Sequence, residues 1–433
     1  MSRATQRLVV LGATGLAVLA SAGVEAARGA SPVLPPVPLA QEFNDLAVAA
    51  DGSVRTLEVR PGSKTGARAT IRRIDPAGAQ LPPIVFYDPA SDIGRMDGAL
   101  TPDGGAVVFV TKGDFESEVV TAVNVSPTGQ VSAPQPVAGP GTALSPYVPR
   151  IGPTGAVAAV MPVPGAVAFR PAGAGGFVAP LALVNFDVDG DIALEVAMAP
   201  DGGAAVLAYG EGTWLRPYVR RIDPDGRIGP KIDLGFGSVR SGIGGLEFAR
   251  NGDLGVVLHH GPRKRVGARV LFTKLPAGAV QPTPVQPLPA ALGGTVDRGF
   301  SFGLSAGQSE FAVLTGRGLD GLRLWTGSEE LTLAATFRDV NPFSGDVVFG
   351  PGGVITTVWE DELGAGAFAG SRLVAARRLT DGTVTRPRQL MPRARGTSQS
   401  TYDIAPLPDG RLAVVYDQDP GPDDQLLGRV IQP

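Results

Sequence analysis

The residues with the most chemical promise are acidic, and they recur. Asp45, Asp97, Glu195, Asp346 and Asp403 each stand six positions before a glycine-containing turn, and the same place in three further repeats holds Val148, Gly245 and Ser301. Arg150 and Glu247 lie two residues further along. In an extended strand residues i and i+2 share a face, so the five carboxylates, Glu247 and Arg150 are expected together, opposite the apolar residues of the same strands. Crowded carboxylates disfavour one another's ionisation and attract a cation or a basic side chain. These seven positions are therefore the candidate ligand-binding set. The structural alternative is that they accept N–H bonds from a neighbouring repeat, or pair with the recurrent arginines Arg73, Arg221 and Arg378.

A second candidate is a metal loop. Asn185, Asp187, Asp189 and Asp191, with Gly190 in the sixth place, match the opening of a calcium loop apart from the first residue. Ala193 and Val196 occupy positions nine and twelve, so the closing carboxylate is absent, and Glu195 falls one residue short. Calcium and a metal-free Asx turn both remain open; no other cofactor is expected. Asp417, Asp419, Asp423 and Asp424 form another acidic loop, but Pro420 and Pro422 break its spacing.

Other chemistry is poorly supplied. The chain has no cysteine, which excludes thiol catalysis, a lipoprotein anchor and disulfides. Its two histidines, His259 and His260, have no nucleophile elbow before them and are too few for a closed zinc site. Arg263-Lys264-Arg265 reads as a solvated hairpin tip. A net charge of −3 gives no basic footprint for nucleic acid.

The elements that must position the acidic set form a repeat. From Leu194 to Leu234, apolar alternating runs are punctuated by Pro200-Asp201-Gly202 and Asp225-Gly226, the form of antiparallel hairpins. Aligned on the first turn, the series is Asp51-Gly52, Asp103-Gly104, Thr154-Gly155, Asp201-Gly202, Asn251-Gly252, Gly307-Gln308, Gly352-Gly353 and Asp409-Gly410. The turns fall on average about 51 residues apart, so eight units fill 27–433 and leave nothing for a second domain. The expectation is an all-β, single closed β-propeller of eight four-stranded blades. Seven blades is the alternative, because Gly307-Gln308 is degenerate. The last repeat runs out after three strands, and the Pro-rich segment 33–39 is expected to supply the fourth, closing the ring.

Pro102-Asp103-Gly104, Pro200-Asp201-Gly202 and Pro408-Asp409-Gly410, each between apolar strands, resemble the turn of TolB-like propeller repeats. The resemblance implies a propeller scaffold of a kind often used for protein contacts. Eight-bladed quinone-cofactor dehydrogenases are a second comparison, but their docking tryptophan recurs in every blade. Trp214, Trp325 and Trp359 stand at unrelated repeat positions, so that cofactor is not carried over.

The first residues read as an address. Arg3 and Arg7 precede an apolar stretch from Leu8 to Gly23, and Val24-Glu25-Ala26 resembles a cleavage site. A signal peptide over 1–26 makes the expected product an exported monomer, extracellular or in the cell envelope, with no membrane span after cleavage. Three readings of function follow: a binding or scaffold module for a protein or small ligand, a metal-assisted hydrolase or lyase using the central channel, and a structural envelope protein.

Overall fold

The computed structural model describes residues 37–39, 43–49, 51–63, 66–88, 93–113, 119–138, 147–161, 166–178, 181–182, 195–209, 217–236, 244–260, 269–288, 303–317, 321–327, 329–334, 345–362, 371–390, 401–418 and 425–431. They form eight four-stranded antiparallel sheets, seven built from four consecutive strands. Counted along the chain, the inner strands of blades one to eight are Phe43–Val48, Ile93–Leu100, Tyr147–Ile151, Glu195–Met198, Gly244–Phe248, Leu304–Ala306, Gly345–Phe349 and Thr401–Pro406. Each packs against the next, and Thr401–Pro406 packs against Phe43–Val48, which makes a ring. The eighth blade takes its outer strand from the start of the chain: Val37, Pro38 and Leu39 pair with Gly428, Leu427 and Leu426. No helix among the described residues is long and apolar enough to cross a membrane.

The hairpins follow from turn chemistry. In Ala199–Gly203, the Ala199 N–H bonds the Gly203 carbonyl at 2.8 Å and the Gly202 N–H bonds the Ala199 carbonyl at 3.1 Å. This is a type I turn closed by a glycine at positive φ, here +95°. Pro200 presets the first central residue, and the Asp201 carboxylate accepts the Gly203 N–H at 2.9 Å. The same backbone pattern closes Ala49–Ser53, Thr101–Gly105, Gly152–Ala156, Ala249–Asp253, Gly350–Val354 and Leu407–Arg411. The sixth blade differs. Gly307 N–H bonds the Glu310 carbonyl, so Gln308-Ser309 is a two-residue hairpin, shorter than its counterparts.

The apolar core is not central. Each gap between neighbouring sheets holds its own cluster: Leu57, Val59, Met96 and Val108 between blades one and two, for example, and Leu207, Val219, Leu254 and Leu258 between blades four and five. The second strands are buried on both faces, as in Ala106–Val110, which is why they read as continuous apolar runs and not as alternating ones. Arginines stitch the turn ends of adjacent blades. Arg221 donates to the Pro276 carbonyl at 2.8 Å, Arg411 to the Pro76 carbonyl at 3.1 Å, and Arg55 and Arg377 to the carbonyls of Gly104 and Gly410.

Candidate functional site

The inner strands bring most of the recurrent acidic positions to one place. Asp45, Asp97, Asp346 and Asp403 each use a carboxylate oxygen to accept the N–H of the following residue, at 2.9, 3.0, 2.7 and 2.8 Å. Register shifts between Phe43 and Asp45 and between Thr401 and Asp403 break the ladder at two of these positions, one between Ile93 and Arg95 precedes Asp97 by two residues, and one between Tyr147 and Arg150 adjoins Arg150; the strand of Asp346 pairs without a shift. A bulge of this kind re-aims side chains at a sheet edge. Asp45 also accepts the N–H of Leu100, on the inner strand of the second blade, at 2.7 Å.

Convergence is visible in the electrostatics. Arg150, in the third blade, acts on Asp45, Glu195, Glu247 and Asp403, which lie in blades one, four, five and eight. Asp346, in the seventh blade, acts on Glu247 and Asp403. Among the described residues, blades three and eight, or five and seven, are not packing neighbours. Their charges meet only across the ring axis, so Asp45, Arg150, Glu195, Glu247, Asp346 and Asp403 surround one axial space. Asp97 occupies the matching ring position in the second blade.

Protein around this space holds Asp45, Glu195, Glu247, Asp346 and Asp403 protonated beyond their usual range, with desolvation the largest cause at each. It pushes Glu195 and Glu247 up to about 7, with repulsion from Glu247 and Asp346 respectively adding to it and Arg150 opposing it. Asp346 rises to about 6 against its bond from the Val347 N–H. Asp45 is raised, and Asp403 is raised well above its usual range by burial and then by Asp346 and Asp45. Glu247 is surrounded by protein atoms yet is an exposed residue, which fits a place beside the open axial space that it shares with Arg150 and Asp346. Water there makes its charge less costly than in a dry core. The Oε2 atom of Glu195 is buried without a hydrogen-bond partner.

Several expectations are revised by geometry. Arg73, Arg221 and Arg378 do not serve the ring: they bond the Pro82 carbonyl, the Leu275 and Pro276 carbonyls, and Glu329. In the sixth blade the short hairpin shifts the alignment, so the ring position falls on Gly303, whereas Ser301 lies outside the described residues. A Cβ on Gly303 would stand 2.8 Å from a carboxylate oxygen of Asp346, so glycine leaves room for that carboxyl. The spacing rule missed this position; the glycine in a strand was its signal. Asn185, Asp187, Asp189 and Asp191 lie outside the described residues, as do Arg263 to Arg265 and Asp419, Asp423 and Asp424. Among the described residues no three His, Asp or Glu side chains are close enough to hold one metal ion.

No family model matches the chain, and no curated protein matches it. Among solved structures it is similar to the polysaccharide lyase Uly1, at 12% identity and a TM-score of 0.45 over 91% of this chain and 90% of that one. It is similar to an ulvan lyase of a new polysaccharide lyase family, at 8% identity and 0.48 over 93% and 96%. A Pyrococcus horikoshii acylaminoacyl peptidase gives 10% identity and 0.43 over 88% of this chain and 58% of that one. The propeller architecture rests on the sheet order of the chain itself.

Proposed function

We propose that this protein is an exported binding module whose axial carboxylates receive a cationic group, either a lysine or arginine side chain of a protein partner or the amine of a small ligand. The observation that supports it is the coupling of five carboxyls and one arginine across the ring axis. Negative groups outnumber the single positive one, and a second cation would relieve both repulsion and the unpaired oxygen of Glu195. Binding would therefore release protons near neutral pH. Export rests on the leader-like segment 1–26, and the TolB-like Pro-Asp-Gly turns support a role in protein contacts.

The test uses spermidine and a pentalysine peptide as probes, titrated by calorimetry at pH 8 and low salt. Asp346→Asn and Asp403→Asn are expected to weaken binding several-fold while leaving the denaturant midpoint equal or higher. Affinity that the substitutions do not change, or variants that unfold, would overturn the reading. Protein N-terminal sequencing of culture medium and envelope fractions tests the cleavage at Ala26.

A second reading, hydrolysis or lyase chemistry in the axial space, is favoured by Glu195 and Glu247. Carboxyls held at about 7 are suited to proton transfer at neutral pH. Turnover of a polysaccharide or ester substrate that disappears in Glu195→Gln and Glu247→Gln would establish it.

A further inference from the structure

A groove with a cavity volume of ≈ 680 Å³ lies between the second and third blades, at the turn end of the inner strands and away from the ring carboxylates. Three tight turns wall it: Thr101–Gly105, Ser126–Gln130 and Gly152–Ala156. The closing backbone groups of each turn are already paired with each other. Thr101 N–H bonds the Gly105 carbonyl at 2.9 Å, Ser126 N–H the Gln130 carbonyl at 2.8 Å, and Gly152 N–H the Ala156 carbonyl at 2.9 Å. A peptide laid along these walls finds no open strand edge, so strand addition is not available to it. Recognition must come from side chains.

The side chains in question are held in a particular way. Arg170 is only 8% exposed, and its partners among the described residues are neutral: its Nη1 donates to Asn124 Oδ1 at 2.8 Å and to Gln135 Oε1 at 3.3 Å, and its guanidinium lies 5.4 Å from the centre of the Phe177 ring. A guanidinium only donates, so it dictates which end of the Asn124 amide faces it. Asn124 lines the groove. With its oxygen engaged, its nitrogen is left as an oriented donor, strengthened by the buried cation behind it. Across the groove, Asp103 spends one carboxylate oxygen on Thr101 Oγ1 and the Gly105 N–H and keeps the other as an acceptor. The Gln130 amide and the Thr154 hydroxyl add groups of both kinds, and Val131, at 43% exposure, joins Pro102 and Pro153 as the apolar part of the lining.

An oriented donor, a charged acceptor and adaptable groups around a small apolar patch complement a molecule that carries hydroxyls on a C–H framework. Each hydroxyl donates and accepts at once, and the volume falls in the range of small-molecule sites. We propose that this groove binds a saccharide of one or two units, with Asn124 and Asp103 as the polar anchors.

Saturation-transfer NMR and calorimetry with maltose, cellobiose and methyl glucoside test it, with triglycine as the peptide control. At least one sugar is expected to bind with a Kd on the order of 1–10 mM, ordinary for an open polar site. Gln130→Ala and Asp103→Asn are expected to weaken it at least fivefold with the melting temperature unchanged, since asparagine still caps the turn. Glu195→Gln should leave sugar binding intact, which separates this groove from the axial site. Binding of triglycine in place of the sugars, no binding of any sugar at about 50 mM, or affinity indifferent to both groove variants would overturn the assignment.

Discussion

Replacing Glu195 by glutamine isolates the cost of crowding charge on the ring axis. Burial raises this carboxyl from 4.5 to about 7. At about 1.36 kcal/mol for each tenfold change in proton affinity, a fully dry site would place about 3 kcal/mol on the ionised form; the wet axial space reduces this to about 1–2 kcal/mol. The sign follows from proton linkage. The native state holds this proton more tightly than the unfolded chain, so the contribution to stability is fully present below about pH 4.5 and is lost as pH rises through about 7. Glutamine has no proton to lose. Urea midpoints of wild type and Glu195→Gln are therefore expected to differ least near pH 4.5, and above pH 7 the variant should be more stable by about 1–2 kcal/mol. Wild-type stability should itself decline across that window. A variant less stable than wild type at pH 8 would refute the reasoning, because it would mean that the charged carboxylate has a stabilising partner such as Arg150.

Three further outcomes are expected. Gly202→Ala forces an L residue to φ +95° and sets its Cβ 2.7 Å from Thr154 Oγ1, whereas Gly410→Ala meets only the backbone penalty at φ +82°; chemical denaturation should show a loss of about 1 kcal/mol for Gly410→Ala and a larger one for Gly202→Ala. Thr56 is buried between the first and eighth blades with its hydroxyl unpartnered, beside a small cavity lined by Leu46, Ile74 and Val415, so Thr56→Val should leave the thermal midpoint equal or higher. Calcium added to chelator-treated protein should leave the melting curve in place, because the loop from Asn185 to Val196 lacks the closing carboxylate; a calcium-dependent rise would assign the ion to Asn185, Asp187, Asp189 and Asp191.

What could be read from sequence was whatever the backbone demands locally. A glycine at positive φ after Asp or Asn is a local requirement, so the hairpins at Gly52, Gly104, Gly202, Gly252 and Gly410 announce themselves, and with them the eight-sheet architecture. The sixth repeat misleads because Gly307 does not close the same five-residue turn, and the ring position moves to Gly303. The acidic spacing was legible for the same reason as the turns: it counts residues along one strand. Its partners were not. Arg221 reaches carbonyls 54 and 55 residues away, Asp45 bonds an N–H 55 residues away, and Arg150 meets charges in blades that it does not touch. Such contacts depend on ring geometry, which no spacing within a repeat encodes. Arg170 was missed because nothing in the third blade's sequence shows that Asn124 and Gln135 of the second will face it.

The pairing of Val37, Pro38 and Leu39 with Gly428, Leu427 and Leu426 has a kinetic consequence. The partners are about 390 residues apart in sequence, so this is the contact with the largest loop to close, and it rewards the chain last. During synthesis the seven blades made of consecutive strands can form in order as they emerge, each stacking on the one before. The eighth waits for Gln425–Ile431, and until then the outer faces of the first and seventh blades stand open to water and to other nascent chains. Moving the chain break into another blade's outer loop would make the eighth blade from consecutive strands and pass the waiting period to a different seam. The folding rate of such a circular permutant, set against the unaltered order, would show how much of the barrier lies in this one late pairing.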